Sequence, residues 1–183
     1  MAKSTRQYVF DGMEFMREGL HGYVMRSLEG GLGAGWPQKV IADFPQWRPE
    51  QNGKFTLDTQ KLLQIMERFW NECFRNTLER THRSIVNELV DVRNKLAHDG
   101  AFTYDDAERA LDSMRRLLEA VSASEAADKI AAMRDTILRT KFTELARNEE
   151  RKKSQRLDIS VETVAGLLPW REVVEPHQDV ATG

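Results

Sequence analysis

The chain has 183 residues, with 27 basic and 29 acidic side chains for a net charge of −2 and a pI near 6.1. That is long enough for one complete core, and it lacks the basic excess of a protein that grips phosphates over a whole face. Hydrophobic residues make up 40% and charged residues 31%, a globular balance, and no apolar run approaches the roughly 18 residues needed to cross a bilayer.

Cys73 stands alone, which excludes an internal disulfide and a cysteine-based zinc site. The start, Met1 to Gln7, is basic but lacks an apolar signal core. A cytoplasmic protein with no membrane contact, cofactor or metal is expected.

From Tyr8 to Leu28, Val9, Phe10, Met13, Met16, Leu20, Val24 and Leu28 recur at spacings of three and four, predicting an amphipathic helix stopped by the glycines at 30 to 35. The stretch Trp36 to Thr56, with Pro37, Pro45 and Pro49, predicts an ordered loop with one helical turn at Gln38 to Asp43. A second long helix is predicted from Leu57 to Leu78 and a third from Thr81 to His98. Asp99-Gly100 is the expected stop of the third, with glycine taking the left-handed conformation. Thr103 with Asp106 resembles a capping box opening a helix from Tyr104 to Val121, and Ser122 with Glu125 another, reaching Arg156.

The pattern breaks after Leu157, with Ile159, Val161, Val164, Leu167 and Leu168 expected as a short packed segment before a tail. No alternating run suggests a strand. The expected fold is all-α, an antiparallel bundle of about five helices, with residues 1–156 as the domain and 157–183 as a tail or linker.

The glycines at 30 to 35 have no Gly-Lys-Ser/Thr after them, so a phosphate loop is not expected, and no Gly-x-Ser-x-Gly elbow occurs. Acidic residues lack the paired spacing of a two-metal nuclease. Among the four histidines, His98 stands apart because it ends an amphipathic helix beside Arg93 and Asn94. Residues 94 and 98 share a helical face, with Arg93 to the side. Those residue types suit RNA cleavage without a metal. Histidine exchanges a proton, arginine holds two phosphate oxygens in its planar fork, and asparagine orients either partner. One chain offers one such histidine, so a two-fold homodimer would complete the site. The alternative is that Arg93 pairs with Asp91 or Glu88 and His98 merely caps the helix.

Arg93-Asn94-Lys95-Leu96-Ala97-His98 resembles the HEPN signature, an arginine followed by histidine after four to six positions near a helix end. Residues Tyr8 to Val121 follow the HEPN plan. Val92 to Val121 is most similar to the branch named after the nuclear RNA-surveillance endonuclease Swt-one. The spacing alone is not distinctive, since Arg75 to His82 and Arg171 to His177 also satisfy it. The tail Pro169 to His177 resembles the opening of a large ATPase of phage-defence islands, so the chain is expected to be a piece of a longer protein or related to one.

The resemblance implies RNA as partner and a catalytic set of Arg93, His98 and Asn94, in phage defence or stress response. Two other functions are compatible with it. One is a non-catalytic dimerisation or regulatory module for an ATPase partner or C-terminal ATPase region, docking through an exposed Trp36 or Trp47. The other is the toxin of a two-gene pair, with Tyr104 as the residue its antitoxin would modify.

Overall fold

The computed structural model describes residues 3–47 and 56–165, with side chains as far as Ser154. Every regular element among them is helical.

Helix α1, Thr5–Leu32, opens where the Ser4 hydroxyl accepts from the Gln7 N–H. It buries Val9, Met13, Met16, Leu20, Val24 and Leu28 of the predicted stripe, whereas Phe10, expected among them, is exposed because it lies to the side of that buried face. It runs one turn beyond the expected end, through Gly30 and Gly31, and stops at Gly33 in a left-handed conformation (φ 74°). Gly31 is a packing residue. A Cβ there would lie 2.7 Å from the Cys73 Sγ and 2.8 Å from the Glu72 carbonyl oxygen.

Helix α2, Trp36–Asp43, replaces the expected loop with two full turns, started by Pro37 in its first turn. Trp36, Val40 and Trp47 are buried, and Phe44 stacks on Trp47 with centroids 3.9 Å apart. Both tryptophans belong to the core, which removes the exposed-aromatic motive for a docking loop. Pro49 and Phe55 lie outside the described residues.

The single helix expected from Leu57 to Leu78 is two elements. Helix α3, Thr59–Arg68, is capped by the Asp58 carboxylate on the Lys61 N–H, and a π-helical turn follows at Trp70–Phe74. The buried set Leu62, Ile65, Met66, Phe69, Trp70 and Phe74 would span about half the circumference of a regular helix, a broader arc than one α-helical stripe. The wider turn, with the Arg75 N–H bonded to the Trp70 carbonyl, brings the last two aromatics inside.

Helix α4, Arg80–Ala97, and helix α5, Tyr104–Ala120, match their expected limits within a residue. The capping box at Thr103 and Asp106 is present. Ser122 is not a helix cap. It is the left-handed residue (φ 61°) after α5, where the N–H groups of Ser122 and Ala123 bond to the carbonyls of Glu119 and Leu118. Helix α6, Ser124–Ala165, starts two residues later and continues through the expected break after Leu157. The side chains of Ile159, Val161 and Val164, and everything from residue 166 on, including the ATPase-like segment and the Arg171–His177 pair, lie outside the described ones.

Helix α1 is the centre of the bundle, packing on α5, α3, the π turn, α2 and α4, while α4 packs on α3 and α5. This unit ends at Arg139, with Ala127, Ile130 and Ile137 of α6 buried in it. Residues from Thr140 form a second unit, in which Phe142 and Leu145 are exposed among charged side chains. No helix among the described residues is long and apolar enough to cross a membrane.

Candidate functional site

Ile85, Val86, Leu89 and Leu96 hold α4 in the bundle and fix which residues of its last turns face out. Arg93 is half-buried, while Asn94 and His98 are exposed. The end of the helix is built by three backbone bonds. The His98 N–H donates to the Asn94 carbonyl (3.1 Å), Asp99 to Leu96 (3.3 Å) and Gly100 to Lys95 (2.9 Å).

The left-handed residue of this Schellman arrangement is Asp99 (φ 54°) and not Gly100, a correction to the expectation. Asp99 tolerates that conformation better than most residues do. Gly100 is required for a different reason. A Cβ there would come within 2.5 Å of the Lys95 Cγ and 2.8 Å of the Lys95 carbonyl oxygen.

A second element holds this end. The Arg6 guanidinium, from the first turn of α1, donates to the Leu96 carbonyl (3.0 Å) and to the Asp99 carboxylate (2.5 Å). It places a cation where the helix dipole is negative. Next to it the Thr5 hydroxyl donates to the Phe102 carbonyl (2.6 Å). Arg6 escaped notice in the sequence because its partners lie about ninety positions away, and no local pattern announces the contact.

Two charged neighbours of the site, Lys95 and Glu88, are already engaged, and Asp91 does not pair with Arg93. Lys95 donates to the Asp106 carboxylate (2.9 Å) and lies 4.7 Å over the Phe102 ring. That bond, with the Thr103 N–H, holds the Asp106 carboxyl below the usual carboxylate range. Glu88, the proposed structural partner of Arg93, accepts instead from Arg109 (2.6 Å) and Ser113 (3.3 Å). Neither the Arg93 guanidinium nor the His98 imidazole is hydrogen-bonded or ion-paired to any described residue.

Arg93 lines a cleft of about 390 Å³ between α1, the start of α3 and the end of α4, with Arg6, Phe10, Glu14 and Asp58 among the other walls. With Asn94 it also borders a narrow gap beside Gln60 and Gln64. His98 is outside that lining. In a regular helix, five residues separate Arg93 from His98 by about 140° of rotation and about 7.5 Å of rise. The structure thus brings Arg93 and Asn94 together and sets His98 one turn beyond them.

The other described pair that fits the spacing has a different fate. The Nδ1 of His82 accepts from the Glu79 N–H (3.1 Å) and closes the start of α4. Tyr104 is half-buried in the first turn of α5. No three His, Cys, Asp or Glu side chains gather as a metal site among the described residues.

The model of the Swt1-like HEPN family matches residues 11–122. The chain belongs to the Swt1-like HEPN family. The matched span carries the whole of α4 and ends just after α5, so Arg93, Asn94 and His98 lie within it, whereas Arg6 and Phe10 precede it. No curated protein and no solved structure matches the chain. HEPN membership points to an RNA-related function.

Proposed function

We propose that this HEPN domain is a metal-independent endoribonuclease that acts as a homodimer. The observation that carries this reading is the unspent chemistry at the end of α4. Arg93 and His98 have no partner among the described residues, while the neighbouring cations Arg6 and Lys95 are both committed. An arginine half-buried on a cleft wall and paired with no carboxylate is a ready partner for a phosphate, which its planar fork can grip with two bonds.

In the reaction, the ribose 2′-oxygen attacks the adjacent phosphorus. The bond to the 5′-oxygen of the next nucleotide breaks, leaving a 2′,3′-cyclic phosphate and a free 5′-hydroxyl. One proton leaves the 2′-hydroxyl and another joins the departing 5′-oxygen. His98 of one copy takes the first and the same residue of the second copy, as imidazolium, supplies the other. Arg93 holds the phosphate oxygens as charge grows on them, and Asn94 orients the imidazole or the phosphate.

The test is purified protein incubated with mixed RNA in EDTA. Products should carry 2′,3′-cyclic phosphate ends, and His98→Ala should abolish them while leaving the sedimentation of the dimer unchanged. Equal cleavage by wild type and variant would overturn the assignment.

A further inference from the structure

Among the described residues of the unit that ends at Arg139, Phe10 is the one large hydrophobic side chain that is exposed, at 51%. Its neighbours on α1 are not: Val9 is fully buried and Met13 is 3% exposed. Phe10 lies on the wall of the same cleft as the unpartnered Arg93. A lone surface phenylalanine needs no explanation. One that shares with an uncommitted guanidinium a cleft the size of a small-molecule site presents two complementary contacts at once.

The cleft wall carries two arginines and two carboxylates. Glu14 pairs with Arg17 (3.2 Å), and Asp58, bonded to the Lys61 N–H (2.9 Å), keeps its charge with the Lys61 ammonium 3.8 Å away. Arg6 is held by Leu96 and Asp99, which leaves Arg93 as the wall's one cation without a carboxylate among the described residues. A phosphate beside a flat apolar ring is the chemistry of a nucleotide. A ring can stack on a base only where that base is unpaired.

We infer that Phe10 and Arg93 form a subsite for one nucleotide of single-stranded RNA, its base stacked on Phe10 and its phosphate on Arg93. This rests on reading the end of α4 as an RNA site, though not on cleavage there. It makes the substrate single-stranded at the nucleotide flanking the scissile bond. A second copy of the chain seated on the same ring is the competing occupant, and the experiment separates the two.

The experiment uses the full chain carrying His98→Ala, so that the probe survives, and a fluorescein-labelled ten-nucleotide RNA of mixed sequence followed by anisotropy. Adding Phe10→Ala should weaken binding about tenfold, the scale of one lost base stack, and Phe10→Tyr should retain it. Affinity for the same sequence as a perfect duplex should not change. Single-strand binding within twofold of the parent, or an equal loss on duplex, would overturn the subsite. So would dissociation of a dimer on Phe10→Ala, which would assign the ring to contact between copies. Cleavage by the chain without His98→Ala is scored separately. Loss of binding in the Phe10→Ala variant with no cleavage by wild type keeps the subsite and sinks the ribonuclease; unchanged binding with active wild type does the reverse.

Discussion

The two ends of α4 carry the same pair of residue types and use them differently. At the start, Arg75 and His82 flank the turn into the helix, and the His82 Nδ1 is spent on the Glu79 N–H. At the finish, His98 is the C-cap residue and its backbone N–H closes on Asn94, but the side chains of Arg93 and His98 have no partner among the described residues, and Arg6 and Asp99 complete the helix end. What separates the two histidines is whether the imidazole itself closes a helix end, as that of His82 does and that of His98 does not. The supporting cast is therefore as informative as the signature itself.

The largest effect should come from asking each pair to do the other's task. Arg93→Ala and His98→Ala should each lower the initial rate of RNA cleavage in EDTA by about 10²- to 10⁴-fold, the usual worth of a positioned acid, base or phosphate clamp. Arg75→Ala and His82→Ala should stay within about twofold. A His82→Ala variant as inactive as His98→Ala, with its fold intact, would break the comparison. Replacing Arg93 by lysine should recover only part of the rate, because an ammonium cannot offer the paired donors of a guanidinium.

The next effects are on stability. Gly100→Ala forces a Cβ against the Lys95 carbonyl, which cannot swing away as a side-chain tip would. A loss of about 1–3 kcal/mol in urea unfolding is expected, together with reduced cleavage, because the last turn of α4 must shift. His82→Ala removes one cap contact at the opposite end and should cost about 0.5–1 kcal/mol without touching activity. If the two substitutions cost the same and both spare cleavage, the finish of α4 is no more exacting than its start.

Local signals made most of the helices legible. The stripe of α1, the box at Thr103 and Asp106, and the run Ile85 to Leu96 need only neighbours three and four positions away. The misreadings share a cause in contacts made from afar. Gly31 looks like a helix stop until Cys73 is seen against it, and Ser122 satisfies a capping pattern while closing the preceding helix. The π turn at Trp70–Phe74 answers to a core that no window of sequence displays. The same division runs through the site. Arg93, Asn94 and His98 could be picked out as one short segment, whereas the Arg6 clamp and the Phe10 wall come from the far end of the chain and needed the fold to bring them near.

The smallest effect concerns the outward side of the same helix end, where Lys95 and Asp106 tie α4 to α5 at 2.9 Å. The carboxyl of Asp106 is held below its ordinary range, first by the Lys95 bond and then by the Thr103 N–H. A folded carboxyl with a depressed pKa binds its proton less readily than the unfolded chain does. Its stabilisation is therefore complete above the ordinary carboxylate range and is lost as pH falls through the folded value. Asp106→Asn removes the charge but keeps an acceptor for Thr103, so it isolates the ion pair. Both partners are 42% exposed, which limits the expected loss at pH 7 to about 0.5 kcal/mol. The gap between wild type and variant should close on acidification below the carboxylate range and narrow in high salt. A gap that persisted unchanged at low pH would mean that the substitution acts through the Thr103 cap and that the ion pair adds nothing. Lys95 would then join the uncommitted cations, and the contrast between the two ends of α4 would extend to a third side chain.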